Sequence, residues 1–244
     1  MPVERFYTPH SLEKNEKIEL KEGEFHHLAH VIRSRIGEQI EIVNGKGILA
    51  NAIIQEIKKD RAILFIEQLD EEPFKESKII LAQAIPKTNR LEFILEKGTE
   101  LGVDEFWLFP GELSPKKELF PNQIERMESI LISAIKQCGR LWLPKIVLCP
   151  ILENWKQCSG TLYFGDLDAK APLLIKELEN TNEIQDPIVF FTGPESGFTD
   201  NEVNVLRNLG TKGVKLHSNV LRTDTASITA LAIISHYQAI HEIA

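Results

Sequence analysis

The sequence predicts an α/β protein in which a parallel sheet with crossover helices follows a small β-barrel. Three observations predict it. Short alternating strands crowd the first third of the chain. Apolar strands then alternate with helical stretches, the pattern of βαβ units. Two polar, glycine- or arginine-bearing loops fall after strands near the C-terminus, at the edge where open α/β sheets bind ligands.

The N-terminal elements come first. Lys17-Ile18-Glu19-Leu20 and Gln39-Ile40-Glu41-Ile42-Val43 alternate in polarity, as half-buried strands do. Asn44-Gly45-Lys46-Gly47 supplies a turn, and residues 48–57 resume the apolar pattern. Ala62-Ile63-Leu64-Phe65-Ile66 is a further strand. Phe25, Leu28, Val31 and Ile32 share one face of a helix expected over 24–33. Short strands around one short helix read as a small barrel. The acidic Asp70-Glu71-Glu72-Pro73 reads as a linker, dividing the chain into residues 1–72 and 73–244.

The second part begins with Lys78-Ile79-Ile80-Leu81-Ala82-Gln83-Ala84, apolar enough for a strand buried on both faces. A helix is expected over 89–101, with Gly102 in the C-cap region. Phe106-Trp107-Leu108-Phe109 is the next strand, and a long helix over 121–138 is closed by Gly139. Residues 144–147 and 161–165 read as strands. Pro187-Ile188-Val189-Phe190-Phe191 precedes the glycine loop, and Val214-Lys215-Leu216 is the last strand. A final helix is expected from Thr225 to the end. No internal repeat interrupts this order.

Composition bounds the function. A chain of 244 residues with 43% apolar and 26% charged side chains builds a core without disulfide or metal staples. No apolar run is long enough to span a bilayer. Met1-Pro2-Val3-Glu4-Arg5 lacks the regions of a signal peptide, so a cytoplasmic protein is expected. Cys138, Cys149 and Cys158 form no Cys-x-x-Cys pair and read as free thiols. The net charge of −8 is uneven: −4 over 1–72, +1 over 73–160 and −5 over 161–244. A polyanionic partner must therefore use local patches in the first two segments. His26 and His30 are four apart, but no carboxylate or cysteine nearby completes a ligand set with them, so no metal is expected.

The first loop is Thr192-Gly193-Pro194-Glu195-Ser196-Gly197-Phe198. Its glycines permit a tight turn and close backbone approach to a ligand, although an ordinary strand–loop–helix connection has the same look. Thr199-Asp200-x-Glu202 resembles a capping box. The second loop runs over 216–225. Thr223 or Asp224 can cap the helix that follows. Arg222 fits no structural role there, because the helix macrodipole disfavours a cation at an N-terminus. That conflict marks it as functional. The Gly-x-Gly-x-x-Gly, P-loop and Gly-x-Ser-x-Gly signatures are absent.

Gly193-Pro194-Glu195-Ser196-Gly197-Phe198 followed by Val220-Leu221-Arg222-Thr223-Asp224-Thr225-Ala226 resembles the RsmE family. These are 16S ribosomal RNA uridine-N3 methyltransferases of the SPOUT class. Further blocks are similar in order: His27-Leu28-x-x-Val31-Ile32-Arg33, Gln83-Ala84-x-Pro86-Lys87, residues 97–103, and Gln137-Cys138-Gly139-Arg140. The likeness covers nearly the whole chain. It implies a PUA-like RNA-binding barrel and a SPOUT domain with a C-terminal trefoil knot, paired as a homodimer. Its substrate would be 16S rRNA in the 30S subunit. S-adenosylmethionine would be held by Thr192, Gly193, Pro194, Glu195 and Gly197, and by Leu216, His217, Ser218, Asn219, Val220 and Leu221. Arg5, His27, Arg33, Lys87, Gln137 and Arg140 would meet RNA.

Some positions depart from the family pattern. His217 and Asn219 stand where a glycine and an arginine are usual, Ser196 replaces a glycine, and Asp224 shortens a carboxylate. A glycine position taken by His217 would be strained if φ were positive. Lys136 stands where an acid is usual, and residues 111–117 lack an expected arginine. The reaction implied is methyl transfer to N3 of a uridine. Arg222, or an arginine of the other subunit, would stabilise the anion developing on O2 or O4, with Glu195 and Asp224 as candidate bases. The alternative, motivated by His217 and Asn219, is a noncatalytic RNA-binding or ribosome-assembly factor on the same fold. A third reading is a SPOUT enzyme acting on tRNA.

Overall fold

The computed structural model describes residues 4–75, 77–181 and 184–242. They form two compact units, Met1–Phe74 with Ile132–Leu143, and Lys75–Leu131 with Pro144–Ala244.

The first unit is built on a mixed five-stranded sheet. Its strands are β1 (Arg5–Tyr7), β2 (Lys17–Lys21), β3 (Gln39–Val43), β4 (Ile48–Ile57) and β5 (Arg61–Glu71). Their order is β1-β3-β4-β5-β2, with only the β1–β3 pair parallel. The turn before β4 follows from Asn44, whose Oδ1 accepts from the backbone N–H of Lys46 and Ile48 at 2.8 and 3.2 Å. Two register shifts in the β4–β5 ladder bend the strands around their core. That core holds Phe6, Leu20, Phe25, Leu28, Ile42 and Leu64. β1 is too short for periodicity to reveal. β5 runs on to Glu71, so Asp70 and Glu71 belong to a strand, not to a linker.

The helix expected over 24–33 is a five-residue α1 (Glu22–His26) continued by a π-helical turn, His27–Ile32. The wider turn keeps Phe25 and Leu28 inside but carries Val31 out, to 61% exposure. Arg33 ends it in the left-handed region, φ 60°. A second cluster joins Val43 to Ile135 and Leu141.

The second unit has a six-stranded, all-parallel sheet in the order β11-β9-β10-β6-β7-β8. Its strands are β6 (Ile79–Ala84), β7 (Glu105–Phe109), β8 (Lys145–Leu148), β9 (Thr161–Gly165), β10 (Ile188–Thr192) and β11 (Lys212–Val214). Every residue of β6 and β10 is buried, as the continuous apolar runs require for central parallel strands. The helices are α2 (Thr88–Glu100), α3 (Pro121–Cys138), α4 (Leu174–Asn180), α5 (Asp200–Asn208) and α6 (Thr223–Glu242). α6 packs on α2, α4, β6 and β10. Cys149 and Cys158 pack against the core, and burial pushes both thiols up to about 11.

Two expectations are corrected here, and one helix was missed. β11 is Lys212–Val214, two residues earlier than predicted, so Leu216 is released into the loop beyond it. α6 starts at Thr223, not Thr225; its expected run to the end includes two residues outside those described. α4 is too short to register as a period. Among the described residues no helix is long and apolar enough to cross a membrane.

Candidate cofactor site

β9 pairs with both β10 and β11, all three in parallel. Their carboxyl ends therefore share one edge of the sheet. The segments leaving those ends, residues 164–167, 192–198 and 214–221, wall a cavity of about 650 Å³. That volume lies in the range of small-ligand sites, roughly 300–1,000 Å³. The structure brings to this wall all the residues predicted for the cofactor, from Thr192 to Gly197 and from Leu216 to Leu221. The third segment, with Gly165 and Asp166, was missed. The rule that ligands sit at strand carboxyl ends, applied to β9 as well, would have found it.

The first loop is held from the core side. A Cβ on Gly193 would sit 3.0 Å from the Gly197 carbonyl carbon, and Gly197 has φ 76°. Glycine is required at both places, for the loop's own closure. Beneath it lies Gln83, fully buried. Its Nε2 donates toward the carbonyls of Ala84 and Gly193 and the Thr223 hydroxyl, at 2.8 to 3.2 Å. Its Oε1 accepts from Ser227 at 2.7 Å. Thr223 Oγ1 donates to the Gly193 carbonyl at 2.6 Å. Thr223 therefore ties α6 to the first loop and does not cap its own helix. The loop's far end is the predicted capping box: Glu202 N–H donates to Thr199 Oγ1 at 3.2 Å, and Thr199 N–H to Glu202 Oε2 at 2.9 Å. Glu202 is 1% exposed. Its other oxygen accepts from Glu112 N–H at 2.9 Å, fixing the loop after β7. The Asn201 amide hydrogen-bonds Glu112 and holds that carboxyl below its usual range.

The second loop is held differently. His217, Ser218, Asn219 and Val220 are exposed. His217 has no positive φ, so the strain expected at that position does not arise. Its Nδ1 accepts from Asn219 N–H at 3.0 Å, so the ring braces its own loop. Arg222 is exposed and makes no ion pair among the described residues. Asp224 and Glu195 are both engaged by Arg90, a residue that sequence reasoning passed over. Asp224 accepts from Arg90 Nη1 through both oxygens at 2.8 Å, and Glu195 lies 3.4 Å from Arg90 Nε. Asp224 thus anchors a fork and does not cap α6.

The residues predicted to meet RNA divide between the units. In the second, Lys87 is exposed beside the cavity wall, its N–H donating to Glu195 Oε1 at 3.0 Å. In the first, Arg5 is bound to Glu41 at 2.8 Å, while Arg140 is partly buried. His27, with its ring edge-on to Phe6, and Arg33 and Gln137 are exposed. Lys136 finds its acid within that unit, pairing with Glu24 at 2.6 Å.

A parallel sheet with a loop-walled cavity at three adjacent strand ends is a ligand-binding α/β enzyme domain. The RNA methyltransferase domain family matches residues 72–235, and the RNA methyltransferase PUA domain family matches residues 20–67. The chain belongs to the RNA methyltransferase family, with ribosomal RNA small subunit methyltransferase E (RsmE) among its relatives. It is 28% identical to that protein from Rickettsia conorii over 95% of each chain. It is also 28% identical to the one from Bacillus subtilis, over 94% of this chain and 93% of the relative. The structure of ribosomal RNA small subunit methyltransferase E from Neisseria gonorrhoeae, bound to S-adenosyl methionine, superposes with a TM-score of 0.83 at 28% identity. That match covers 96% of this chain and 97% of the other. A Legionella pneumophila protein solved with bound SAM gives a TM-score of 0.85 at 28% identity, over 98% of both chains.

Proposed function

We propose that this protein binds S-adenosylmethionine in the strand-end cavity and methylates N3 of a specific uridine in 16S rRNA of the small ribosomal subunit. The carrying observation is the cavity itself, walled by both loops that the sequence singled out. Thr192 supplies a fit test. It is 5% exposed and lines the cavity, yet its Oγ1 has no hydrogen-bond partner among the described residues. A buried hydroxyl without a partner is costly, and a polar ligand removes that cost. Thr192, Gly193, Pro194, Glu195 and Gly197 would hold the cofactor from one side, and residues 216–221 from the other. When bound, the cofactor supplies an electrophilic methyl group.

The chain's own residues then have distinct tasks. Arg222, with no competing ion pair, stabilises negative charge on the uracil oxygens as N3 loses its proton. Glu195, on the cavity wall, is the better placed carboxylate to receive that proton, because Asp224 has both oxygens on Arg90. Residues 1–72 serve as the RNA-binding module and 73–244 as the knotted methyl-transfer module. The chain acts as a homodimer in the cytoplasm, where its ribosomal substrate is. Arg5, His27, Arg33, Gln137 and Arg140 meet RNA from the first unit and Lys87 from the second; Arg33, exposed and in a left-handed turn, is the clearest candidate for a phosphate contact.

The test uses methyl-labelled S-adenosylmethionine and small subunits from a strain lacking the gene. One methyl per 16S rRNA, recovered as 3-methyluridine, is expected. Incorporation into tRNA alone would move the target, and no incorporation into any RNA would sink the enzymatic reading. Arg33→Ala should make the salt dependence of RNA binding shallower by about one in log–log slope; an unchanged slope removes it from the RNA contacts.

A further inference from the structure

We infer that Arg90 is a positioning residue of the cofactor site, holding Glu195 on the cavity wall from a fork anchored on Asp224. The inference rests on reading the cavity as the S-adenosylmethionine site. Three parts of the fold meet at this one guanidinium. Arg90 stands in the first turn of α2, whose Leu91, Ile94 and Leu95 are buried and fix the helix against the core. Its Nη1 reaches both oxygens of Asp224, in the first turn of α6, at 2.8 Å. Its Nε lies 3.4 Å from Glu195 Oε1 in the first cofactor loop. The same oxygen accepts from Lys87 N–H at 3.0 Å, so both of these contacts fall on one side of the Glu195 carboxylate.

Local stability does not explain an arginine at this place. The first turn of α2 holds no acidic residue, and its N-cap makes no side-chain cap. A stable helix start would carry an acid or a capping oxygen there and avoid a cation. The Arg90, Asp224 and Glu195 side chains are each about three-quarters buried, at 22%, 22% and 24% exposure. A planar guanidinium shared between two carboxylates at that depth has its orientation set by both. Arg90 thus links the start of α6, next to Arg222, with the loop that carries Glu195. Without it, Glu195 keeps only the Lys87 N–H, and the wall it forms loosens.

The experiment compares wild type, R90Q and R90K by calorimetry with S-adenosylmethionine, by steady-state kinetics and by thermal melting. For R90Q the cofactor KM and Kd should rise about tenfold, and kcat at saturating cofactor should fall as well, because the carboxylate that Arg90 holds is the proposed proton acceptor. R90K should recover part of the affinity, since an ammonium can satisfy one carboxylate but not the fork. A purely structural role predicts a lower apparent kcat from a smaller folded fraction, at unchanged KM and Kd. That result, or wild-type affinity in R90Q, overturns the assignment. If R90Q fails to fold, R90K decides: unchanged KM and Kd overturn the assignment, and a raised KM and Kd support it. Absence of cofactor binding by the wild type would instead defeat the reading of the cavity.

Discussion

The two loops that face each other across the cavity are held by opposite means. The loop over 192–198 is fastened from below by buried Gln83 and Thr223, and at its far end by buried Glu202. The loop over 216–221 is mostly exposed, and the main side-chain brace within it is the His217 ring on Asn219 N–H. One wall is thus an extension of the core, preorganised before any ligand arrives. The other relies on local hydrogen bonding. Preorganised groups bind with little further loss of entropy, whereas a loosely held segment loses it on binding. Mutations in the first wall should therefore change stability and binding together, and mutations in the second should change binding alone.

Gln83→Leu tests the first half most severely. It keeps the volume but removes the amide's bonds to the Ala84 and Gly193 carbonyls, Thr223 and Ser227, while Thr223 still serves the Gly193 carbonyl and the Thr223 carbonyl still accepts from Ser227. Each such hydrogen bond contributes about 0.5–1.5 kcal/mol net. Denaturant unfolding should show a loss of about 2 kcal/mol, with cofactor binding weakened more than tenfold. A variant of native stability would break the comparison. Glu202→Ala is expected to follow at about 1–2 kcal/mol, from the lost capping box and the orphaned Glu112 N–H. Unfolding at unchanged midpoint would show that the far end of this loop needs no fastening.

The first wall was also the more legible one in the sequence. Part of what shapes it is local: the buried run of β10, the glycines, and Thr199 three residues from Glu202 all signal through spacing. The all-parallel sheet was legible for the same reason. What could not be read is whatever joins distant segments. Gln83 and Thr223 are 140 residues apart, and Arg90 and Asp224 are 134 apart; no periodicity couples such positions. His217 misled for a related reason. Its residue type suggested strain at a glycine position, but the backbone there is ordinary and the ring has a bond of its own to make. The π-helical turn at His27–Ile32 escaped because its apolar spacing is indistinguishable from that of an α-helix.

Arg222 separates chemistry from architecture at the boundary of the second wall. Its exposed side chain makes no ion pair among the described residues, so Arg222→Ala should leave the melting temperature unchanged. The methyl-transfer rate should fall more than tenfold, at least about 1.4 kcal/mol in the barrier. An unchanged rate in single-turnover kinetics would remove Arg222 from the mechanism and leave it as surface charge.

The smallest expected effect is the sharpest test of the second half. His217→Ala deletes the acceptor of the Asn219 N–H without touching the core. Because His217 and Asn219 are both exposed, water replaces the lost bond and global stability should not move. Cofactor affinity should fall by about threefold, the cost of ordering a loop that no longer braces itself. His217→Asn, whose shorter side chain can still accept from the N–H two residues on, should restore most of it. Calorimetry and a melting curve on the two variants decide the matter. If His217→Ala lowers the melting temperature as Glu202→Ala does, the second wall is as much a part of the core as the first, and the contrast between them fails.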